Sequence, residues 1–351
     1  MPRVAVLGAS GAVGTEILRL LDARAFPVEG PPVLLASERS AGRRVAWRDT
    51  EVEIQAVDAD AFDGIDVAIF SAGATRSREW ASTAVDAGAV VVDNSSAFRM
   101  DPDVPLVVSE VNPATATQRP KGIIANPNCT TMVLMVAVKP LHDAFGLTEM
   151  VATSYQAAGG AGMSGIDELL DQARAFVDEA ERLRLHGAGL EDSVDPEVFS
   201  RAIAFNVLPH CGSFGDNRYT DEEMKLVNES RRILDLPRLA VSPTCVRVPV
   251  VVGHGIAARL RFSGNVTRDD ALAALSGAPG LRVVDGDGRD GEPLEYPTPL
   301  ASAGRDEVFV GRVRDDLADP QVLNLFVVGD NLRKGAALNA VQIAELVVAE
   351  G

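Results

Sequence analysis

Two periods of apolar and polar positions alternate along the first third of the chain. Val4–Gly8 is a short continuous apolar run, as expected of a strand buried on both faces. Ala12–Arg24 follows it with Val13, Ile17, Leu20 and Leu21 on one helical face. The same reading predicts strands over Val33–Ala36, Val52–Val57, Val67–Phe70 and Ala89–Asp93, and a helix over Arg76–Ala87. Strands without a polar face, alternating with helices, imply a parallel sheet covered on both sides. Right-handed crossovers then make an α/β, doubly wound domain.

The texture changes near residue 126. Asn126-Pro-Asn-Cys-Thr-Thr131 reads as a turn that feeds an apolar helix through about Phe145. Beyond it, Glu149–Gln156, Ala240–Arg247, Gly255–Phe262, Glu307–Arg314 and Val322–Val328 read as strands with polar alternation. Helices are predicted over Ser164–Arg184, Asp221–Leu234 and Arg268–Leu275. This mixture predicts an α+β domain whose sheet keeps one face exposed. Asn331–Glu350 reads as a final helix, with Leu332, Ala336, Leu338, Ile343, Leu346 and Val347 on its apolar side. A chain of 351 residues exceeds one ordinary core. The predicted organisation is a first domain over 1–130, a second over 131–330, and a helix over 331–351 that returns to the first. No internal repeat is visible.

Composition narrows the partners. The chain has 50 acidic and 33 basic residues and a formal charge of −17. That field repels nucleic acid, and no basic stripe offsets it. A small anion would need its own cluster of Arg or Lys, and Lys occurs only at 121, 139, 225 and 334. Three cysteines, Cys129, Cys211 and Cys245, suit a reducing compartment better than a disulfide framework. Arg3–Leu7 is already strand-like, so no leader is expected. No apolar run reaches membrane-spanning length, and a cytoplasmic protein is predicted.

Three motifs carry chemistry. Gly8-Ala-Ser-Gly11-Ala-Val-Gly14 joins the first strand to the first helix, where glycines let a pyrophosphate approach the backbone and sit on the helix N-terminus. The spacing is G-x-x-G-x-x-G, and plain strand–helix connections also use such turns. At the end of the second strand, Arg39 with Ser37 and Ser40 suits a 2′-phosphate and favours NADP. Glu38 suits the ribose hydroxyl of NAD, and a solvated loop fits as well. The second motif places Cys129 at a helix start, where free N–H groups and the helix dipole favour a thiolate nucleophile. A lone cysteine is more often inert; the flanking Pro-Asn and Thr-Thr single this one out, and Cys211 and Cys245 read as structural. The third is Arg247-Val-Pro-Val-Val-Val-Gly-His254-Gly, in which His254 follows an apolar strand at a Gly turn. There it would take a proton from Cys129 or from a tetrahedral intermediate, while Arg247 would clamp a carboxylate.

Taken together, these motifs resemble the aspartate-semialdehyde dehydrogenase family over nearly the whole length. The resemblance is carried by Gly8–Gly14, Leu35–Gly42, Asp93-Asn-Ser-Ser-Ala-Phe-Arg99, Asn126–Thr131, Tyr155-Gln-Ala-Ala-Gly-Gly-Ala-Gly162, Arg247–Gly255 and Asp330-Asn-Leu-Arg-Lys-Gly335. It implies a Rossmann-like dinucleotide-binding domain followed by a substrate and dimerisation domain. The implied reaction is NADPH-dependent conversion of aspartyl 4-phosphate to the semialdehyde through a cysteine thioester, in the biosynthesis of lysine, threonine, methionine and isoleucine. Apolar alternation in the second domain and the long 164–184 helix suggest a homodimer, and with no second ligand pair at metal spacing no metal is expected.

By motif, Cys129 resembles the thiol nucleophile, His254 the acid–base and Gln156 the residue that orients the acyl group. Arg247 resembles the clamp on the substrate α-carboxylate, Glu222 the partner of its amino group, and Arg99 with Lys225 the phosphate-binding pair. Asn128 falls among the substrate contacts. Gly8, Ser10, Gly11, Ala12, Val13, Ser37, Arg39, Ser40, Gly159 and Gly160 fall among the cofactor contacts, with Asn331 near the nicotinamide end. One departure is visible: the family often has Ser where this chain has Gly159.

Other signals are set aside. Asp285–Gly291 hints at a calcium loop, but Arg289 and Tyr296 stand where ligands belong. Pro209-His210-Cys211 lacks a second ligand pair. His142 and His186 read as surface residues. The rival readings are an N-acetyl-γ-glutamyl-phosphate reductase and a non-catalytic nucleotide-binding relative.

Overall fold

The computed structural model describes every residue except Asp290, Glu292 and Gly351. It divides into two compact units, one holding residues 1–136, 228–237 and 332–351, the other 137–227 and 238–331. The stretch 228–237, expected in the second domain, clusters with the first unit. Arg232 there donates to the carbonyls of Arg99, Asp101 and Val104.

The first unit is built on seven strands: β1 (Val4–Leu7), β2 (Val33–Ala36), β3 (Arg44–Trp47), β4 (Thr50–Ala56), β5 (Val67–Phe70), β6 (Val90–Asp93) and β7 (Ile123–Ala125). Their order is β3-β4-β2-β1-β5-β6-β7, and every pair except β3–β4 is parallel. The strand order reverses between β1 and β5, so the loop leaving β1 sits at the switch point where open α/β sheets bind ligands. The β1 residues are buried throughout, which accounts for the continuous apolar run.

Two strands have no clear sequence signal. β3 is a mostly exposed edge strand, in which Arg44 stands opposite Glu53 and no apolar period shows. β7 has only three residues. The final helix differs from expectation at its start. Arg333–Ala337 forms one wide, π-helical turn, and the α-helix runs over Leu338–Ala349. Its Leu338, Val341, Ile343 and Ala344 share one core with Ile17, Leu20 and Leu21.

The second unit carries β8 (Leu147–Gln156), β9 (Ala240–Arg247), β10 (His254–Phe262), β11 (Leu281–Val283), β12 (Gly286–Asp287), β13 (Leu294–Glu295), β14 (Val308–Asp315) and β15 (Val322–Gly329). Six of them form a mixed sheet in the order β11-β14-β15-β10-β8-β9, and β12 pairs with β13 alone. The helix read over Ser164–Arg184 instead spans Met163–Phe176, and short helices follow at Ala180–Leu185 and Gly187–Glu191. The break lets Phe176 and Leu190 enter the same small core with Ile203 and Leu208. The apolar run Val248–Val252 is not a strand. Pro249 lacks a backbone donor, Gly253 turns the chain at φ +99°, and β10 opens on His254 itself. Within the set-aside loop Asp285–Gly291, Asp290 lies outside the described residues, and Asp285 pairs with Arg268.

Candidate active site

The glycines of the first loop divide their work. Gly8 has φ +92°, and a Cβ there would stand 2.4 Å from the Ser71 carbonyl oxygen. A Cβ on Gly14 would stand 2.2 Å from the Gly8 carbonyl oxygen. Both are therefore required by the turn and by the packing of helix on strand. Gly11 is different: a Cβ there meets only one atom, at 3.5 Å. The chain's own packing leaves that position bare, as a cradle for a pyrophosphate requires. Gly11 also caps the helix Ala12–Ala23 without any side-chain hydrogen bond and with no acidic residue in the first turn. The backbone donors of Ala12 and Val13 thus open a helix with no carboxylate competing for them. Ser10 Oγ lies 3.3 Å from Ser40 Oγ, which joins this loop to the turn after β2. Ser37 caps that turn, and Glu38 and Arg39 are both exposed within it.

The turn that carries Cys129 is assembled from the ends of β6 and β7. Buried Asp93 accepts from Ser77 Oγ at 2.6 Å and from Ser95 Oγ at 2.8 Å, and so shapes the segment that leads to Arg99. Burial pushes the Asp93 carboxyl pKa up despite these donors. Arg99 is itself buried. Its Nε donates to the Asn126 carbonyl at 2.8 Å, its Nη2 to the Asn94 carbonyl at 3.1 Å, and its Nη1 faces Glu229 at 3.3 Å.

Cys129 is the first residue of the helix Cys129–Phe145 and is half-buried. Asn128 is the cap: its Oδ1 accepts the Thr130 and Thr131 N–H groups at 3.0 and 3.2 Å. The thiol therefore stands on a rigid, capped helix start. The Thr130 and Thr131 hydroxyls beside it are buried without a partner among the described residues.

Lys334 lies behind this turn, fully buried and tied to Glu110, Asn339 at 3.0 Å and Gln342 at 2.9 Å. Burial pushes the Glu110 pKa up, but the Lys334 charge and the hydrogen bonds from Lys334, Ser109 and Gln342 together outweigh it and hold the carboxyl below its usual value. Asn339 in turn donates to Asn126 Oδ1, and Asn126 donates to the Ala336 carbonyl at 3.0 Å. Sequence reasoning assigned no role to Glu229, Asn339 or Lys334. For Lys334 the available signal was a scarce lysine set among the apolar residues of the final helix.

In the second unit, strand register gathers the remaining residues. Gln156 ends β8 opposite Arg247, which ends β9, and Tyr155 pairs with Gly255, next to His254. Three adjacent strands thus bring Gln156, Arg247 and His254 to one end of the sheet. A single peptide then fixes two of them. The Ala157 N–H donates to His254 Nδ1 at 3.0 Å, and the Ala157 carbonyl accepts from Arg247 Nη1 at 2.8 Å. His254 is 0 % exposed, and burial, with the nearby Arg247 charge, holds its pKa well below 6.5. The imidazole is neutral, and because Nδ1 accepts, its proton resides on Nε2.

The Arg247 guanidinium also stacks over the Phe199 ring at 5.8 Å, a contact invisible in the sequence. Gly160 makes this arrangement possible, since a Cβ there would lie 2.8 Å from Arg247 Nη1 and 3.3 Å from the His254 ring. Gly159 is equally constrained: a Cβ would stand 2.7 Å from the Val251 carbonyl oxygen, so serine would not fit without movement.

Gln156 Nε2 lies 3.5 Å from Glu222 Oε1, and Glu222 Oε2 lies 3.1 Å from Lys225 Nζ. Burial opposes the Lys225 charge, but Glu222 and Asp221 outweigh it and raise the pKa. Asn331 is buried. Its Oδ1 accepts the Gly253 N–H at 2.8 Å, while its Nδ2 has no partner among the described residues. Such an orphaned amide donor calls for a ligand acceptor. Cys211 and Cys245 are buried, and burial drives the Cys245 thiol far up, which leaves it inert.

Comparison with known proteins agrees with this arrangement. Residues 3–119 match the family model described as the NAD binding domain of semialdehyde dehydrogenases, and residues 138–334 match their dimerisation domain. An aspartate-semialdehyde dehydrogenase of Streptomyces akiyoshiensis is 50% identical over 350 residues, 99% of each chain. The chain belongs to the aspartate-semialdehyde dehydrogenase family. It is an enzyme of the oxidoreductase class, with a Rossmann-like domain and a second, dimerisation domain of the α+β kind. Another member of the family, from Aquifex aeolicus, is 45% identical over 99% of this chain and 98% of its own. Among solved structures, aspartate semialdehyde dehydrogenase II from Vibrio cholerae has a TM-score of 0.92 and 42% identity, covering 100% of this chain and 99% of that one. The same enzyme complexed with ASA gives 0.91. No helix among the described residues is long and apolar enough to cross a membrane.

Proposed function

We propose that this enzyme reduces aspartyl 4-phosphate to aspartate 4-semialdehyde with release of phosphate, reversibly, in the biosynthesis of lysine, threonine, methionine and isoleucine. The observation that carries the reading is Cys129 at the first position of a helix capped by Asn128, the setting in which a thiolate is favoured. The thiolate attacks the acyl carbon, phosphate leaves, and a thioester remains on Cys129. Arg99 and Lys225 hold the departing phosphate. Arg247 holds the α-carboxylate, and Glu222 the amino group. His254 acts through Nε2–H as a donor to the oxyanion, because its Nδ1 is already occupied by the Ala157 N–H. Gln156 orients the acyl group.

NADPH, when bound, supplies the hydride that reduces the thioester. The residues that would hold it are Gly8, Ser10, Gly11, Ala12 and Val13, with Ser37, Arg39 and Ser40 at the adenosine 2′-phosphate. Asn331 Nδ2 is a donor suited to the nicotinamide amide oxygen. Bare Gly11 and the orphaned Asn331 amide both fit such a group. The match to a dimerisation domain supports a homodimer.

The test is a paired assay with both cofactors. Phosphate-dependent reduction of NADP with aspartate semialdehyde, and none with the N-acetylated glutamate analogue, is expected. The reverse substrate pattern would overturn the assignment, and activity with neither would favour a non-catalytic relative.

A further inference from the structure

We propose that Glu229 is a positioning residue for this reaction: one buried ion pair, Glu229 with Arg99, sets both the nucleophile's turn and the phosphate clamp. The inference rests on the roles given above to Cys129 and Arg99.

Glu229 is 1 % exposed. Its Oε2 accepts the backbone N–H of Asn128 at 2.6 Å, and its Oε1 faces Arg99 Nη1 at 3.3 Å. Asn128 is the helix cap, so the bond to its N–H fixes the backbone one residue before Cys129 and thereby the direction of the thiol. A buried carboxylate is costly unless paired, and Arg99 is the pairing charge. Arg99 gains the same service in return. Glu229 and the carbonyls of Asn94 and Asn126 take three of its five N–H donors and hold the guanidinium plane. A neutral acceptor would satisfy the Asn128 N–H alone; a carboxylate is needed because it also neutralises an arginine held ready for an anion. Arg99 thus acts twice, toward the substrate phosphate and toward the thiol.

The test uses the full-length enzyme with Glu229→Gln, which keeps the shape, and with Arg99→Gln and the double variant. The measurements are KM for phosphate and the pH profile of Cys129 alkylation, with cofactor binding and thermal melting as folding controls. In Glu229→Gln the unbalanced Arg99 charge favours the thiolate, so alkylation should shift to lower pH while KM for phosphate rises about tenfold or more. Arg99→Gln should shift alkylation to higher pH and lose phosphate use. The double variant should restore the alkylation profile without restoring phosphate use. An unchanged alkylation profile and unchanged phosphate KM in a folded Glu229→Gln protein would overturn the proposal, as would a lowered melting temperature alone. Opposite alkylation shifts with wild-type phosphate KM in Arg99→Gln would instead sink the phosphate role of Arg99 and leave the coupling to Cys129 standing.

Discussion

The backbone N–H of Ala157 points at Nδ1 of His254 from 3.0 Å. A buried imidazole so held has its lone pair engaged and its proton on Nε2. It is built to donate, and a second proton would have to displace the Ala157 bond. The sequence supports His254 as acid or base alike; the structure favours the donor role.

This has a pH consequence. His254 is depressed well below 6.5 by burial and by Arg247. The unfolded chain takes up a proton at this position near 6.5, while the folded chain does not. Stability is therefore intact above about 6.5, falls as pH drops below it, and stops falling at the depressed folded value. Nitrogen NMR of labelled histidine should show a neutral Nε2–H tautomer through pH 6. A His254 signal that titrates near 6.5 would refute the assignment.

Arg247→Lys should be far from conservative. Lysine cannot both reach the Ala157 carbonyl and stack on Phe199 while presenting two parallel donors. KM for aspartate semialdehyde should rise about tenfold to a hundredfold, since charged hydrogen bonds are worth about 1.5–3 kcal/mol. Steady-state kinetics with a melting control will show it. A wild-type KM would mean that Arg247 does not hold the carboxylate.

The loop glycines should separate by readout. Gly14→Ala should lower thermal stability sharply, because its Cβ would overlap the Gly8 carbonyl. Gly11→Ala should fold normally and weaken NADP binding alone. Calorimetric titration beside thermal melts distinguishes them; equal effects in both variants would contradict the division of labour.

How much of this was legible beforehand follows from chain locality. The doubly wound sheet, the loop after β1 and the capped Cys129 all write themselves into short stretches of sequence. The joint hold of Ala157 on His254 and Arg247 does not, because it depends on register among β8, β9 and β10. Phe199, Glu229 and Lys334 were missed for the same reason, their partners lying far along the chain. The break after Phe176 was missed because helical periodicity continues through it, while burial of Leu190 against Phe176 demands a turn.

Lys334 offers a stability test independent of chemistry. Lys334→Met removes the charge that offsets buried Glu110 and should cost about 3–5 kcal/mol, as breaking a buried pair does. Glu110→Gln in the same chain should recover part of that loss. Denaturant titration measures both, and a neutral Lys334→Met would show that the pair contributes nothing.

The central claim is a covalent aspartyl intermediate on Cys129. The enzyme should be mixed with aspartate semialdehyde and NADP in the absence of phosphate, quenched in acid, and analysed by peptide mass spectrometry. An aspartyl adduct on the peptide containing Cys129, released by hydroxylamine and absent from Cys129→Ser, is the predicted result. An adduct that persists in Cys129→Ser, or full turnover by that variant, would contradict it.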